Sequence, residues 1–261
     1  MNKFLDFNDK KIIVFGASSG IGRETAILLC NLGASVIAVG RNDEELKNTA
    51  NLCLKVKGNT DAKVIQYNFD LSNIEKIAEF IKKIVNENGP IDGMVYTAGI
   101  NEDTPLKSLN FDRTLKTFNI NYFAFIECVR QLTIKGNYRE GFRIVGVSSV
   151  STFFGEKAHT AYAGSKGAMD ASIRVIAKEL SAKGIAINSV APGMTHTKMT
   201  DVFIEANGIE SDAYVRTMSR QYLGMAQPID IANTICFLLS DRAKMITGVT
   251  VPVDGGFSTS C

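Results

Sequence analysis

Short apolar runs alternate along the chain with longer stretches in which apolar positions recur at helical spacing. Seven runs read as strands, over residues 12–15, 36–39, 64–67, 91–96, 143–147, 185–190 and 249–253. The first six are mostly continuous rather than alternating, the pattern of strands covered on both faces. Between them, residues 20–31, 43–57, 73–88, 111–135, 161–183 and 228–239 read as helices. Asp43 before Glu44-Glu45, and Ser72 ahead of Glu75, are the expected helix starts, and Gly33 and Gly184 stand where helices end. Regular strand–helix alternation predicts the α/β class: one doubly wound, seven-stranded parallel sheet with helices on both faces. No linker, repeat or shift of composition divides the chain, so residues 1–261 are expected to form a single domain. Residues 195–223 interrupt the alternation and carry Phe203, Ile204, Tyr214, Met218 and Tyr222. That insertion is either a helical pair stapled to the surface or a lid over the carboxyl ends of the strands; the lid is the expectation.

Composition narrows the function. With 29 Lys and Arg against 27 Asp and Glu, scattered along the chain, the net charge of +2 excludes a nucleic-acid wrapper. Cys30, Cys53, Cys128, Cys236 and Cys261 form no C-x-x-C pair and suit a reducing compartment, the first, third and fourth as core residues. His159 and His196 are the only imidazoles and are expected to be ordinary loop residues, so no multi-histidine metal centre is expected. Residues 1–8 lack the apolar stretch of a secretory signal, and no run is long enough to span a membrane. A soluble, cytoplasmic protein is expected.

The first strand runs into Gly16-Ala17-Ser18-Ser19-Gly20-Ile21-Gly22 and then a helix. A strand, glycine turn and helix aim backbone N–H groups and a positive helix end at a pyrophosphate, which makes this a dinucleotide-binding Rossmann unit. The second strand ends Gly40-Arg41-Asn42, without the carboxylate that would hold both ribose hydroxyls. Arg41 can instead pair a 2′-phosphate, favouring NADP(H), or be an exposed turn arginine. Tyr162 and Lys166 share one helix face, and Ser148-Ser149 closes the fifth strand. An ammonium beside a phenol is expected to lower its pKa and make it a usable acid or base.

These ordered motifs resemble the short-chain dehydrogenase/reductase family over nearly the whole chain. The resemblance implies that Ser149, Tyr162, Lys166 and Asn119 are catalytic. It places Asp70-Leu71 at the adenine, Ala98-Gly99 under the ribose, and Pro192-Gly193 with Thr195 and Thr197 at the nicotinamide carboxamide. Tyr96-Thr97 replaces the Asn-Asn usual before Ala-Gly, so the Thr97 hydroxyl is expected to brace the fourth strand. By residue type, Tyr162 exchanges a proton with a carbonyl or alcohol oxygen while hydride passes, Ser149 polarises that oxygen, and Lys166 holds the ribose. Asn119 is implied to fix a water that relays protons to Lys166. The expected activity is NADP(H)-dependent interconversion of a ketone and a secondary alcohol. The chain's ending and Ala191-Pro192-Gly193 look most like 3-oxoacyl-carrier-protein reductases. Lys183 matches one carrier-receiving position near the site mouth, but Glu140, next to Arg139, stands at the other and repels an acidic partner. A reductase of a sugar, polyol or other small secondary alcohol is the alternative, and a non-catalytic NADP(H) sensor the remoter one. Phe118, Tyr122, Phe125 and Ile126 exceed one core stripe, so a homo-oligomer, tetramer or dimer, is expected.

Overall fold

A strand that is apolar on both faces persists only with helices above and below it. The computed structural model describes residues 4–58 and 60–259, which meet that requirement with one sheet. Its strands are β1 (Lys11–Phe15), β2 (Ser35–Gly40), β3 (Val64–Asn68), β4 (Ile91–Tyr96), β5 (Tyr138–Val147), β6 (Ala186–Pro192) and β7 (Thr250–Val253). All pairings are parallel, in the order β3-β2-β1-β4-β5-β6-β7. The helices are α1 (Gly20–Asn31), α2 (Asp43–Val56), α3 (Ile77–Asn88), α4 (Phe111–Phe118), α5 (Ala124–Leu132), α6 (Thr160–Leu180), α7 (Lys198–Asn207), α8 (Asp212–Arg220) and α9 (Pro228–Leu239). Alternate residues of β1 feed two cores. Ile13 and Phe15 join Ile81, Phe125 and Ile173 on one face, while Ile12 and Val14 join Leu29 and Ile235 on the other. Cys30, Cys53, Cys128 and Cys236 are buried, and Cys261 and residues 1–3 lie outside the described residues. No helix among the described residues is long and apolar enough to cross a membrane.

The chain lays β1, β2 and β3 outward in one direction, then returns to place β4 on the free side of β1. Loops therefore diverge at the carboxyl ends of β1 and β4 and leave a crevice there, where open α/β sheets take ligands.

Several boundaries differ from the expected ones. Asn42 rather than Asp43 caps α2, its side chain accepting from the Glu45 N–H at 3.1 Å. Ser72 caps nothing; its own N–H donates to Asp70 at 2.9 Å, and a short 3₁₀ turn precedes α3. The single helix expected over 111–135 is two helices joined by a π turn, Asn119–Phe123. The buried Tyr96 hydroxyl donates to the Ile120 carbonyl at 2.5 Å, and so satisfies backbone in that turn.

Phe125, expected on an intersubunit face, is fully buried and meets Tyr96 edge-on at 5.5 Å between ring centroids. The exposed large apolar side chains over 111–135 are Phe111, Leu115, Phe123 and Ile134. A core position of this kind has a known cost of truncation. Phe125→Ala is expected to lower the unfolding free energy by about 3–5 kcal/mol in urea titration. A loss that vanished on dilution would instead place Phe125 between subunits.

Candidate active site

The turn after β1 is shaped by close approach. Gly16 has φ +87°, and a Cβ on it would lie 2.6 Å from the Thr97 hydroxyl; on Gly22 it would lie 2.2 Å from the Gly16 carbonyl. Thr97 in turn donates to the Phe15 carbonyl at 2.9 Å, tying β4 to β1 as expected. Ser19, at the start of α1, makes no side-chain cap, and the first turn holds no acid. Free N–H groups and the positive helix end thus face the crevice.

A 310 Å³ cavity fills that crevice. Its wall runs through the turn (Gly16, Ser18, Ser19, Gly20, Ile21, Gly22), then Arg41, Asp70 and Leu71, then Ala98 and Gly99. It ends at Tyr162, Lys166, Pro192, Gly193, Thr195 and Thr197. Of the expected cofactor residues, Asn42 alone is absent, because its side chain is spent on capping α2. Glycines where side chains would collide, an uncapped helix start and an apolar floor fit a nicotinamide dinucleotide. Arg41 is exposed at the mouth. Of the three carboxylates that follow it, Asp43 accepts from Asn68 at 2.7 Å and Glu45 pairs with Arg23 and, at 2.7 Å, with Lys198 of α7, while Glu44 is exposed. Hydrogen bonds from Lys198 and then Arg23 hold the Glu45 carboxyl down at about 2.

Tyr162 and Lys166 project from one face of α6 toward Ser149 at the end of β5. The buried Lys166 ammonium donates to the Val147 carbonyl at 2.7 Å and lies 5.9 Å from the centre of the Tyr162 ring. A side chain on Gly99 would crowd it at 3.3 Å. Ser149 accepts from the Ser151 N–H at 3.2 Å and bonds the Tyr162 hydroxyl. Asp170, one turn beyond Lys166, is itself buried and accepts from Ser148 and Ser189, each at 2.7 Å. Burial lowers the Lys166 pKa to about 8, against the pull of Asp170. Burial likewise pushes the Tyr162 phenol up, against the Ser149 bond, and Asp103 adds to the rise. The expected lowering of the phenol is therefore not seen in the protein alone: both groups are out of water, and desolvation outweighs their neighbours.

The asparagine in this cluster is Asn121, not Asn119. Asn121 is buried, accepts from the Ile100 N–H at 2.8 Å, and donates to the Ile100 carbonyl and to Ser165, each at 3.0 Å. Asn119 does not line the cavity, and its side chain makes no hydrogen bond among the described residues. The helical phase held the signal: Asn121 is four residues before the core residue Phe125 and seven before Cys128, and Asn119 is off that stripe.

A second cavity, 240 Å³, meets the first at Ser149 and Tyr162. Residues 195–223 form one side of it through Met199 and Phe203 of α7 and Ala213, Arg216 and Thr217 of α8. Gln221 anchors the exit of this insertion, bonding the Met194 N–H and carbonyl, each at 2.9 Å. His159 also lines this cavity, whereas His196 stays exposed. Lys183, Arg139 and Glu140, expected near the site mouth, are not there in the single chain. They precede or open β6 and β5, where Lys183 reaches the Thr133 carbonyl and Arg139 reaches Asp92, at the opposite edge of the sheet.

A family model described as enoyl-(acyl carrier protein) reductase matches residues 16–258. An L-xylulose reductase of Caenorhabditis elegans is 34% identical over 260 residues, 98% of each chain. A 3-oxoacyl-[acyl-carrier-protein] reductase of Thermotoga maritima is 34% identical over 251 residues, 95% of this chain and 97% of that one. The solved structure of a short-chain type dehydrogenase/reductase from Mycobacterium ulcerans superposes with TM-score 0.88 at 27% identity, covering 98% of this chain and 92% of that one.

The buried ammonium gives a stability test. Lys166 titrates at 10.5 when free and about 8 when folded, so its burial penalty is complete below pH 8 and fades between 8 and 10.5. Lys166→Met is expected to stabilise the cofactor-free protein at pH 7 by about 1–3 kcal/mol, the gain shrinking toward pH 10.5. Urea unfolding across that range measures it, and a gain independent of pH would contradict the assignment.

Proposed function

The chain belongs to the short-chain dehydrogenase/reductase family and interconverts a ketone and a secondary alcohol, and we propose that it does so with NADP(H) through Ser149, Tyr162 and Lys166. The observation that carries this is the meeting of two cavities at Ser149 and Tyr162, one bounded by the glycine turn and the other by the 195–223 insertion. A bound nicotinamide supplies or accepts the hydride. Tyr162 gives a proton to the carbonyl oxygen in reduction and takes it back in oxidation. Ser149, one lone pair engaged by the Ser151 N–H, directs its hydroxyl to the same oxygen. Lys166 holds the ribose, and its poise near 8 lets it pass a proton to the phenol. Asn121, rather than Asn119, stands in this cluster and braces the loop at Ile100 beside Lys166.

Arg41 selects NADP(H) by pairing the 2′-phosphate, supported by the engagement of Asp43 and Glu45 elsewhere. Residues 195–223 act as the lid: α7 and α8 have no fully buried residue, yet they wall the second cavity. The substrate is a small carbonyl compound or alcohol. Reduction of a 3-oxoacyl thioester is the second reading, favoured by likeness to the Thermotoga maritima reductase.

Tyr162→Phe is expected to abolish turnover while NADPH binding, followed by nicotinamide fluorescence, stays within a few fold. Turnover within a few fold of the parent would remove Tyr162 as proton donor. Arg41→Ala is expected to raise KM for NADPH about 10- to 100-fold, the loss of a charge-assisted pair worth about 1.5–3 kcal/mol. KM for NADH should hardly move, and equal effects on both cofactors would exclude a role in selection.

A further inference from the structure

The face that α8 turns toward the second cavity carries a cation. Ala213, Arg216 and Thr217 line that cavity, and Arg220 lies 5.9 Å from the centre of the Phe257 ring, which lines it as well. At helical spacing these four α8 positions form one stripe. Val215 is on the opposite side of the helix and is 54% exposed. A helix seated by packing alone turns its valine inward and its arginines to water. In α8 the order is reversed, and packing does not account for it.

Two cations line this cavity, Arg216 on the α8 side and Lys157 in the loop before α6. Both are exposed, and neither side chain has a hydrogen bond or ion pair among the described residues. Two carboxylates, Asp103 and Glu156, line it too. Asp103 is committed: it accepts from Asn101 at 3.0 Å and lies 2.9 Å from His159 Nε2, whose bond holds the carboxyl below its usual range. Glu156 is the chain neighbour of Lys157, and their charges offset each other. The Arg216 guanidinium is left for a ligand.

The balance of charge says which anion fits. A phosphate with two negative charges would meet Asp103 and Glu156 as well as the arginine. A carboxylate carries one charge, and its two oxygens match the guanidinium fork. Much of the remaining lining is apolar, through Phe154, Met194, Met199 and Phe203, and suits the carbon chain of such an acid. The volume of 240 Å³, below the range usual for drug-sized ligands, keeps that chain short. At its other end the cavity reaches Ser149 and Tyr162.

We propose that this cavity takes a short oxo acid, or the hydroxy acid it becomes, with the carbonyl at Ser149 and Tyr162 and the carboxylate on Arg216. In reduction the carbonyl carbon gains the hydride of NADPH and its oxygen the Tyr162 proton, giving the hydroxy acid and NADP+. Arg216 is the specificity-determining residue. The assignment rests on Tyr162 as the proton donor.

The test pairs acetoacetate with butan-2-one and levulinate with pentan-2-one, each ketone having a methyl group in place of the carboxylate. Dihydroxyacetone phosphate and acetoacetyl-coenzyme A are run beside them, all with NADPH. The parent is expected to favour at least one acid over its ketone by about tenfold or more in kcat/KM. Arg216→Gln should lower kcat/KM for that acid about 10- to 100-fold, mostly through KM, and leave the ketone and NADPH affinity within about threefold. Arg216→Lys, which keeps the charge without the fork, should recover part of the loss. Preference for the phosphate or the thioester, neither acid favoured over its ketone, or equal losses on acid and ketone would overturn the proposal. Calorimetry on Tyr162→Phe with NADPH bound reads the same preference without turnover, and absence of acid binding there would overturn it alone. Activity persisting in Tyr162→Phe would instead strike the reading beneath, with the ratio of acid to ketone still measurable.

Discussion

The ammonium of Lys166 is buried, and most of the site can be understood as what that burial requires. A charge withdrawn from water needs acceptors and nearby negative charge. The Val147 carbonyl supplies the first and Asp170 the second. Asp170 is buried too, and Ser148 and Ser189 from neighbouring strands satisfy it. The same ammonium needs space, which Gly99 leaves by having no side chain. Thus the carboxyl ends of β4, β5 and β6 are all committed to one charge on α6, and these are the strand ends that border the nucleotide cavity.

How much of this could be read beforehand depends on whether a feature is local. The sheet was legible because continuous apolar strands and glycine-bounded helices are properties of short windows. The start of β5 was not, since Arg139 and Glu140 are polar and exposed and break the apolar run. The π turn was hidden because it is supported from another element, by the Tyr96 hydroxyl on Ile120. At the site, the glycine turn, Ser149, Tyr162 and Lys166 follow from motif and order. Asn121 required attention to helical phase, and Asn42 was drawn off by a capping role that competes with ligand contact. The Asn101–Asp103–His159 cluster had no signal in sequence, because two loops more than fifty residues apart meet only after the sheet forms.

Tyr96 and Thr97 stand where the resemblance implied two asparagine amides, and each has found another use. Thr97 ties β4 to the glycine turn, and Tyr96 reaches across to the helix that carries Asn121. The sheet edge thereby couples the nucleotide cavity to the catalytic cluster through hydroxyls. The relatives include an L-xylulose reductase and a 3-oxoacyl-[acyl-carrier-protein] reductase, a division of the kind that belongs to loops set on a common scaffold.

The ion pair between Glu45 of α2 and Lys198 of α7 joins the flank of the nucleotide crevice to the first helix of the proposed lid. Lys198 is 71% exposed, so the pair is weak and readily screened by salt. If α7 moves as the proposed lid, this pair is a latch whose strength is set by the solution rather than by the fold. Entry and release of the dinucleotide would then vary with ionic strength, while the proton transfer proposed for Ser149, Tyr162 and Lys166 would not. A cell could change the pace of such a protein through its salt alone, without touching a catalytic group.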